Sequence, residues 1–114
     1  YVIIALGQND ANPDPKRIYD KEYRETWKST YKNMVSDLDA KYGGNARFIL
    51  ITTVLMHEPI WDEAIDEVVA ELDKDNIRRY KFRRNGAATP GHPRIPEQAE
   101  MAEELADFIR NWKK

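Results

Sequence analysis

Apolar residues fall along this chain in two alternating rhythms. Residues 1–6 (Tyr1-Val2-Ile3-Ile4-Ala5-Leu6) are an unbroken apolar run, the pattern of a strand covered on both faces in a parallel sheet. Residues 11–19 hold two prolines and no apolar period, which predicts a loop. Asp20 then suits the N-cap of a helix reaching about residue 42, because Tyr23, Trp27, Tyr31, Met34, Val35, Leu38 and Tyr42 recur at steps of three and four. Gly43-Gly44 ends it. Residues 47–53, with Phe48-Ile49-Leu50-Ile51 at their centre, predict a second buried strand. After a loop over 54–59, a helix over about 60–73 buries Ile65, Val68, Val69 and Leu72. Residues 77–82 alternate apolar and basic side chains, as an edge strand does. Pro96 sits near the first turn of a last helix, which turns Ala99, Met101, Ala102, Leu105, Phe108, Ile109 and Trp112 toward the core.

The resulting order, β-loop-α-β-α-β-loop-α, predicts an α/β fold with a parallel sheet and crossover helices on both faces. No repeat, low-complexity tract or domain boundary interrupts it, and 114 residues hold one domain at most.

Composition narrows the function classes. Hydrophobic residues make up 41% and charged residues 33%, as in an ordinary globular chain. Eighteen basic residues stand against twenty acidic ones, so charge offers no case for a nucleic-acid partner. The local run Arg78, Arg79, Lys81, Arg83 and Arg84 reads as solvated positions guarding an edge strand. The carboxylate pairs Asp62-Glu63 and Glu103-Glu104 read as solvated helix faces. There is no cysteine, hence no disulfide framework and no thiolate nucleophile. No apolar run approaches the ~20 residues of a membrane span, so no membrane partner is expected, and no signal peptide is visible.

Two short segments carry the candidate chemistry. Gly7-Gln8-Asn9-Asp10 follows the first strand, and His92-Pro93 precedes the last helix after the third. Ligands of open α/β sheets bind outside the carboxyl ends of the strands. Asn9 as an amide donor and His92 as a base on that rim are half of an acyl-transfer site. His57 falls in the loop after the second strand, on the same rim, and is a further candidate to line an acyl or sugar pocket. Trp61 is a candidate to stack on a sugar ring, although helix-to-sheet packing is the simpler role for it. No metal is expected, since the two histidines are far apart and no His-x-x-x-His spacing exists. Ser29 and Ser36, the only serines, lie mid-helix without a nucleophile elbow, so neither is a candidate nucleophile.

Gly7-Gln8-Asn9-Asp10 resembles the Gly-x-Asn-Asp block of the SGNH (GDSL-like) hydrolases. His92-Pro93, with Met101-Ala102-Glu103-Glu104-Leu105-Ala106-Asp107-Phe108-Ile109, resembles their last block. The likeness extends over nearly the whole chain and is closest to the carbohydrate esterase branch that includes acetylxylan esterases. It implies a three-layer α/β/α, flavodoxin-like fold and a serine esterase acting on O-acylated, most simply acetylated, carbohydrate. In that role Asn9 lends its side-chain amide to the oxyanion hole and His92 is the general base, with no cofactor. The blocks bearing the nucleophilic Ser and an oxyanion-hole Gly have no counterpart in this sequence. The resemblance therefore implies that residues 1–114 are the C-terminal portion of one catalytic domain, inactive without its upstream part. It implies an enzyme of bacterial type and leaves the compartment open between secreted and cytoplasmic. Most members carry an Asp three residues before the His, where this chain has Thr89. A Ser–His dyad is the consequence, with a backbone carbonyl or a hydroxyl fixing the tautomer of His92. The reading from a different class is a non-catalytic flavodoxin-like domain that binds a ligand or partner at the same rim.

Overall fold

A computed structural model of the chain describes residues 1–7, 10–11, 14–51, 59–84 and 93–112. Strand β1 (Val2–Ala5) leads through a short 3-10 turn (Arg17–Tyr19) into helix α1 (Lys21–Lys41). Strand β2 (Phe48–Ile51), helix α2 (Pro59–Leu72), strand β3 (Ile77–Tyr80) and helix α3 (Ile95–Arg110) follow. The three strands form one parallel sheet in the order β1-β2-β3, with Ile3 opposite Ile49 and Ile49 opposite Arg78.

The element order expected from the sequence is the order found, and its local causes are visible. Asp20 caps α1, its Oδ1 accepting the Tyr23 N–H at 2.9 Å. That satisfies one of the donors a helix start leaves open. Gly43 and Gly44 end the helix at φ +66° and +74°, a region side-chain-bearing residues rarely enter. Pro96 lies in the first turn of α3, where its missing N–H costs nothing.

Because successive strand residues face opposite sides, the four buried residues of β2 divide between two cores. Phe48 and Leu50 join Ile4 and Ile77 against Tyr31 and Val35 of α1 and Ile65 and Val68 of α2. Ile49 and Ile51 join Phe82, Met101 and Trp112, with Leu105, Phe108 and Ile109 packed behind. Thus α1 and α2 cover one face of the sheet and α3 the other. Each fully buried Ile, Leu or Phe contributes about 1.5–3 kcal/mol through surface removed from water, which makes β2 the anchor of both layers.

Several expectations are corrected. The first strand is covered on one face only: Ile4 is buried, while Ile3 is 45% and Leu6 38% exposed. The reason is position, since β1 forms one edge of the sheet and α3 packs over β2 and β3. Tyr42 is exposed, keeping only an edge contact with Phe48, and Ala99 and Ala102 face outward. In place of those alanines, Glu97 and Glu104 turn inward on α3.

Of the basic run, Lys81, Arg83 and Arg84 are exposed as expected, whereas Arg78 and Arg79, the two on β3, are half-buried, and most of the run is paired. Arg79 donates to Asp62 at 2.6 Å and to Asp66 at 2.9 Å, and also reaches the carbonyls of Leu50 and Tyr80. Arg78 lies over the Trp112 ring, Arg83 pairs with Glu104, and Arg84 with Glu100. Asp62 and Glu104, read from sequence as surface residues, are the buried partners in this lattice, while Glu63 and Glu103 are exposed. Composition cannot reveal such pairing, because it depends on which helix lies beside which strand.

Candidate functional site at the carboxyl edge of the sheet

The chain turns immediately after β1. Gly7 takes φ +115°, and its carbonyl accepts the Ala11 N–H at 2.9 Å. A Cβ on Gly7 would meet Trp61 at 3.5 Å and Trp27 at 3.6 Å, ordinary contact distances. The backbone conformation, rather than space, therefore calls for glycine here. Asp10 fastens the far side of the loop, its Oδ2 accepting the Trp27 indole N–H at 3.1 Å. Gln8 and Asn9 lie outside the described residues; Gly7 and Asp10 stand at the carboxyl end of β1.

The other candidate segment reaches the same edge. Trp112, just past the end of α3, meets Tyr1 and Arg47, which precede β1 and β2. The end of α3 is thus at the amino edge of the sheet, and its start is at the carboxyl edge. At ~1.5 Å per residue its sixteen residues span the ~24 Å between them. Pro93 and Arg94 therefore stand at the carboxyl edge, beside the chain leaving β3. His92, Thr89 and His57 lie outside the described residues. Parallel strands stand ~4.8 Å apart, so the chain leaves β1 and β3 two strand spacings apart across that edge.

Trp61 is described, and it is 1% exposed. Its indole N–H donates to the Pro15 carbonyl at 2.9 Å, and its ring packs against Trp27 at 5.5 Å between centroids. Ile18 and Ala64 complete the cluster. The ring is thus occupied by packing against α1 and the loop before it, and offers no open face to a sugar. Its role is to hold the floor beneath the Gly7 turn.

The β3 side of the rim is built around carboxylates. Glu104 accepts from the Tyr80 hydroxyl at 2.8 Å and from the Arg83 N–H at 3.1 Å. Burial, and then this hydrogen bond to a carboxylate, hold the Tyr80 phenol above its ordinary range. Glu97, 1% exposed, accepts from Arg94 at 2.6 Å, which holds its carboxyl below the usual range despite burial. The second oxygens of Glu97 and Glu104 are buried and have no hydrogen-bond partner among the described residues. Sequence reading passed over Asp10, Trp27, Glu97 and Glu104. Only the Asp10 position carried a signal, as part of the Gly-x-Asn-Asp segment.

Ser29 and Ser36 are exposed in the middle of α1, away from this edge. Among the described residues no group of His, Cys, Asp and Glu suits a metal ion. No described helix is long and apolar enough to cross a membrane. Comparison with protein-family models, with curated proteins and with solved structures finds no match to this chain.

Proposed function

We propose that this chain is the C-terminal part of an SGNH-type serine esterase acting on O-acylated, most simply acetylated, carbohydrate. The observation that carries the reading is the convergence of two motif-bearing segments on one sheet edge. The residues flanking Asn9 and those following His92 both stand at the carboxyl edge of a parallel sheet, where ligands of such sheets bind. The positive φ of Gly7 and the Asp10–Trp27 bond hold the two described ends of the Gly-x-Asn-Asp segment, and an oxyanion donor needs such preorganised support.

In this mechanism a Ser from sequence upstream of the Gly-x-Asn-Asp strand attacks the ester carbonyl and passes its proton to His92. The side-chain amide of Asn9 donates to the tetrahedral oxyanion. The intermediate collapses as protonated His92 returns the proton to the leaving sugar hydroxyl, and water repeats the cycle on the acyl-enzyme. With Thr89 where an Asp would stand, a carbonyl or hydroxyl at Nδ1 sets the tautomer of His92.

The test is acetyl-ester hydrolysis by the full-length polypeptide that contains these residues. Asn9→Ala should lower kcat about 10²–10³-fold, and His92→Ala should abolish turnover. A parent that binds acetylated carbohydrate without hydrolysing it would instead match the ligand-binding reading. Turnover by residues 1–114 alone, lost in His92→Ala, would mean that the nucleophile lies within the chain and would sink the two-part site.

A further inference from the structure

At the amino edge of the sheet, opposite the rim just described, lies a cavity of about 470 Å³. Asn45 and Arg47 line it ahead of β2, Asp75 and Asn76 ahead of β3, and Arg78 and Trp112 close it. Cavities of roughly 300–1,000 Å³ accommodate small organic ligands rather than bare ions.

Arg47 is the unusual group. It is half-buried, and its Nη1 donates to two neutral oxygens, the Tyr1 hydroxyl at 2.8 Å and the Trp112 carbonyl at 3.3 Å. Its guanidinium carbon lies 5.6 Å from the centroids of both the Tyr1 and the Trp112 rings. These contacts hold the side chain in one orientation without neutralising it. Arg24, Arg79, Arg83, Arg84, Arg94 and Arg110 each pair with a carboxylate. Among the described residues no carboxylate pairs with Arg47. A guanidinium stays charged and presents five N–H donors in a planar fork. A half-buried guanidinium held in one orientation beside a cavity, with N–H donors to spare, is a ready receptor for an external oxyanion.

We propose that this cavity binds a small organic anion, a carboxylate or a phosphate ester on a hydroxylated body about the size of a monosaccharide. Arg47 takes the oxyanion with its remaining N–H groups, and the Arg78 side chain, stacked 4.3 Å from the Trp112 centroid, walls the cavity beside it. Asp75 and Asn45 face the rest of the cavity, where they suit sugar hydroxyls. The Asp75 carboxylate also repels the bound anion, so removing its charge favours binding. The site owes nothing to the chemistry at the carboxyl edge and stands whether or not the esterase reading does.

The experiment is isothermal titration calorimetry on the full-length polypeptide, with glucuronate and glucose 6-phosphate as probes and glucose as the neutral control. Saturable binding of at least one anion, weakened by added salt, is expected, and which of the two binds separates carboxylate from phosphate. Arg47→Gln should weaken it at least tenfold. Arg47→Lys, which keeps the charge and loses the fork, should weaken it less, and Asp75→Asn should tighten it. The last two preserve the fold if Arg47→Gln does not. No saturable binding at millimolar probe, glucose binding as tightly as the anions, or affinity indifferent to all three substitutions would each overturn the site.

Discussion

Replacing Asp62 by Ala removes the buried ion pair that fastens β3 to α2 beside the carboxyl edge, together with the 4.0 Å approach of Lys81. Asp62 is 8% and Arg79 12% exposed at the side chain, and they meet at 2.6 Å. Asp66, also bonded to Arg79, is 57% exposed. Removing one partner of a buried pair typically costs 3–5 kcal/mol, because the other charge stays buried. Here the lower end applies, since Asp66 and the carbonyls of Leu50 and Tyr80 still hold Arg79. Asp62→Ala should therefore cost ~3 kcal/mol, and Asp66→Ala under ~1 kcal/mol, as exposed pairs do. At ~4 °C per kcal/mol for a domain of this size, Asp62→Ala lowers Tm by ~12 °C. Combining Asp62→Leu with Arg79→Met removes both charges and should recover most of that loss. Thermal unfolding followed by circular dichroism in the full-length polypeptide, with urea titration as a second probe, reads all three variants. Equal small losses in Asp62→Ala and Asp66→Ala would show that the pair is no more than a surface bridge and would refute the reasoning.

Three further outcomes can be measured. Gly7→Ala should cost about 1–3 kcal/mol of backbone strain, because φ is +115° while the contacts a Cβ would make are ordinary; an unchanged urea midpoint would show that the turn relaxes freely. Hydrogen bonds from Lys74 and then Asn76 hold the Asp39 carboxyl below its ordinary value of 3.8. A depressed folded pKa contributes stability that is present above 3.8 and lost as pH falls through the lower folded value. Asp39→Asn should accordingly flatten the acid limb of stability between pH 5 and pH 2, and an unaltered limb would exclude Asp39 as its source. Residues 1–114 expressed alone should self-associate through the open edge of β1, and Ile3→Lys should shift sedimentation toward monomer; a monomeric parent chain would contradict this.

The two edges of the sheet account for what the sequence could and could not tell. Residue spacing was enough for the elements: the three-and-four repeat from Tyr23 to Leu38 forms α1, and Phe48 to Ile51 is the buried central strand. It was enough because each of these signals is local. Which carboxylates are buried was not local. Glu97 and Glu104 occupy positions that the helical pattern gives to Ala99 and Ala102, because their partners Arg94, Tyr80 and Arg83 come from outside that pattern. The same cause hid the role of Arg79, whose place on the α1–α2 face follows from its register opposite Leu50. Trp61 is packed, as its simpler reading had it, but the partners of its ring, Ile18 and Trp27, are distant in sequence and could not be read from spacing.

Seen from its edges, the sheet is asymmetric in a way that bears on the candidate site. On β3, Arg78 and Arg79 stand in succession and Lys81 follows, the charged pattern that discourages pairing by another strand. On β1 no charge appears: Val2, Ile3, Ile4 and Ala5 leave main-chain donors and acceptors facing outward, unpaired among the described residues. A sheet that guards one edge and leaves the other apolar is suited to growth on the unguarded side. That side is the one next to Gly7, so a parallel strand added there would end about one strand spacing, ~4.8 Å, from the Gly7 turn. The proposed esterase reading needs its nucleophile on such a strand, which ties the open edge of β1 to the same proposal.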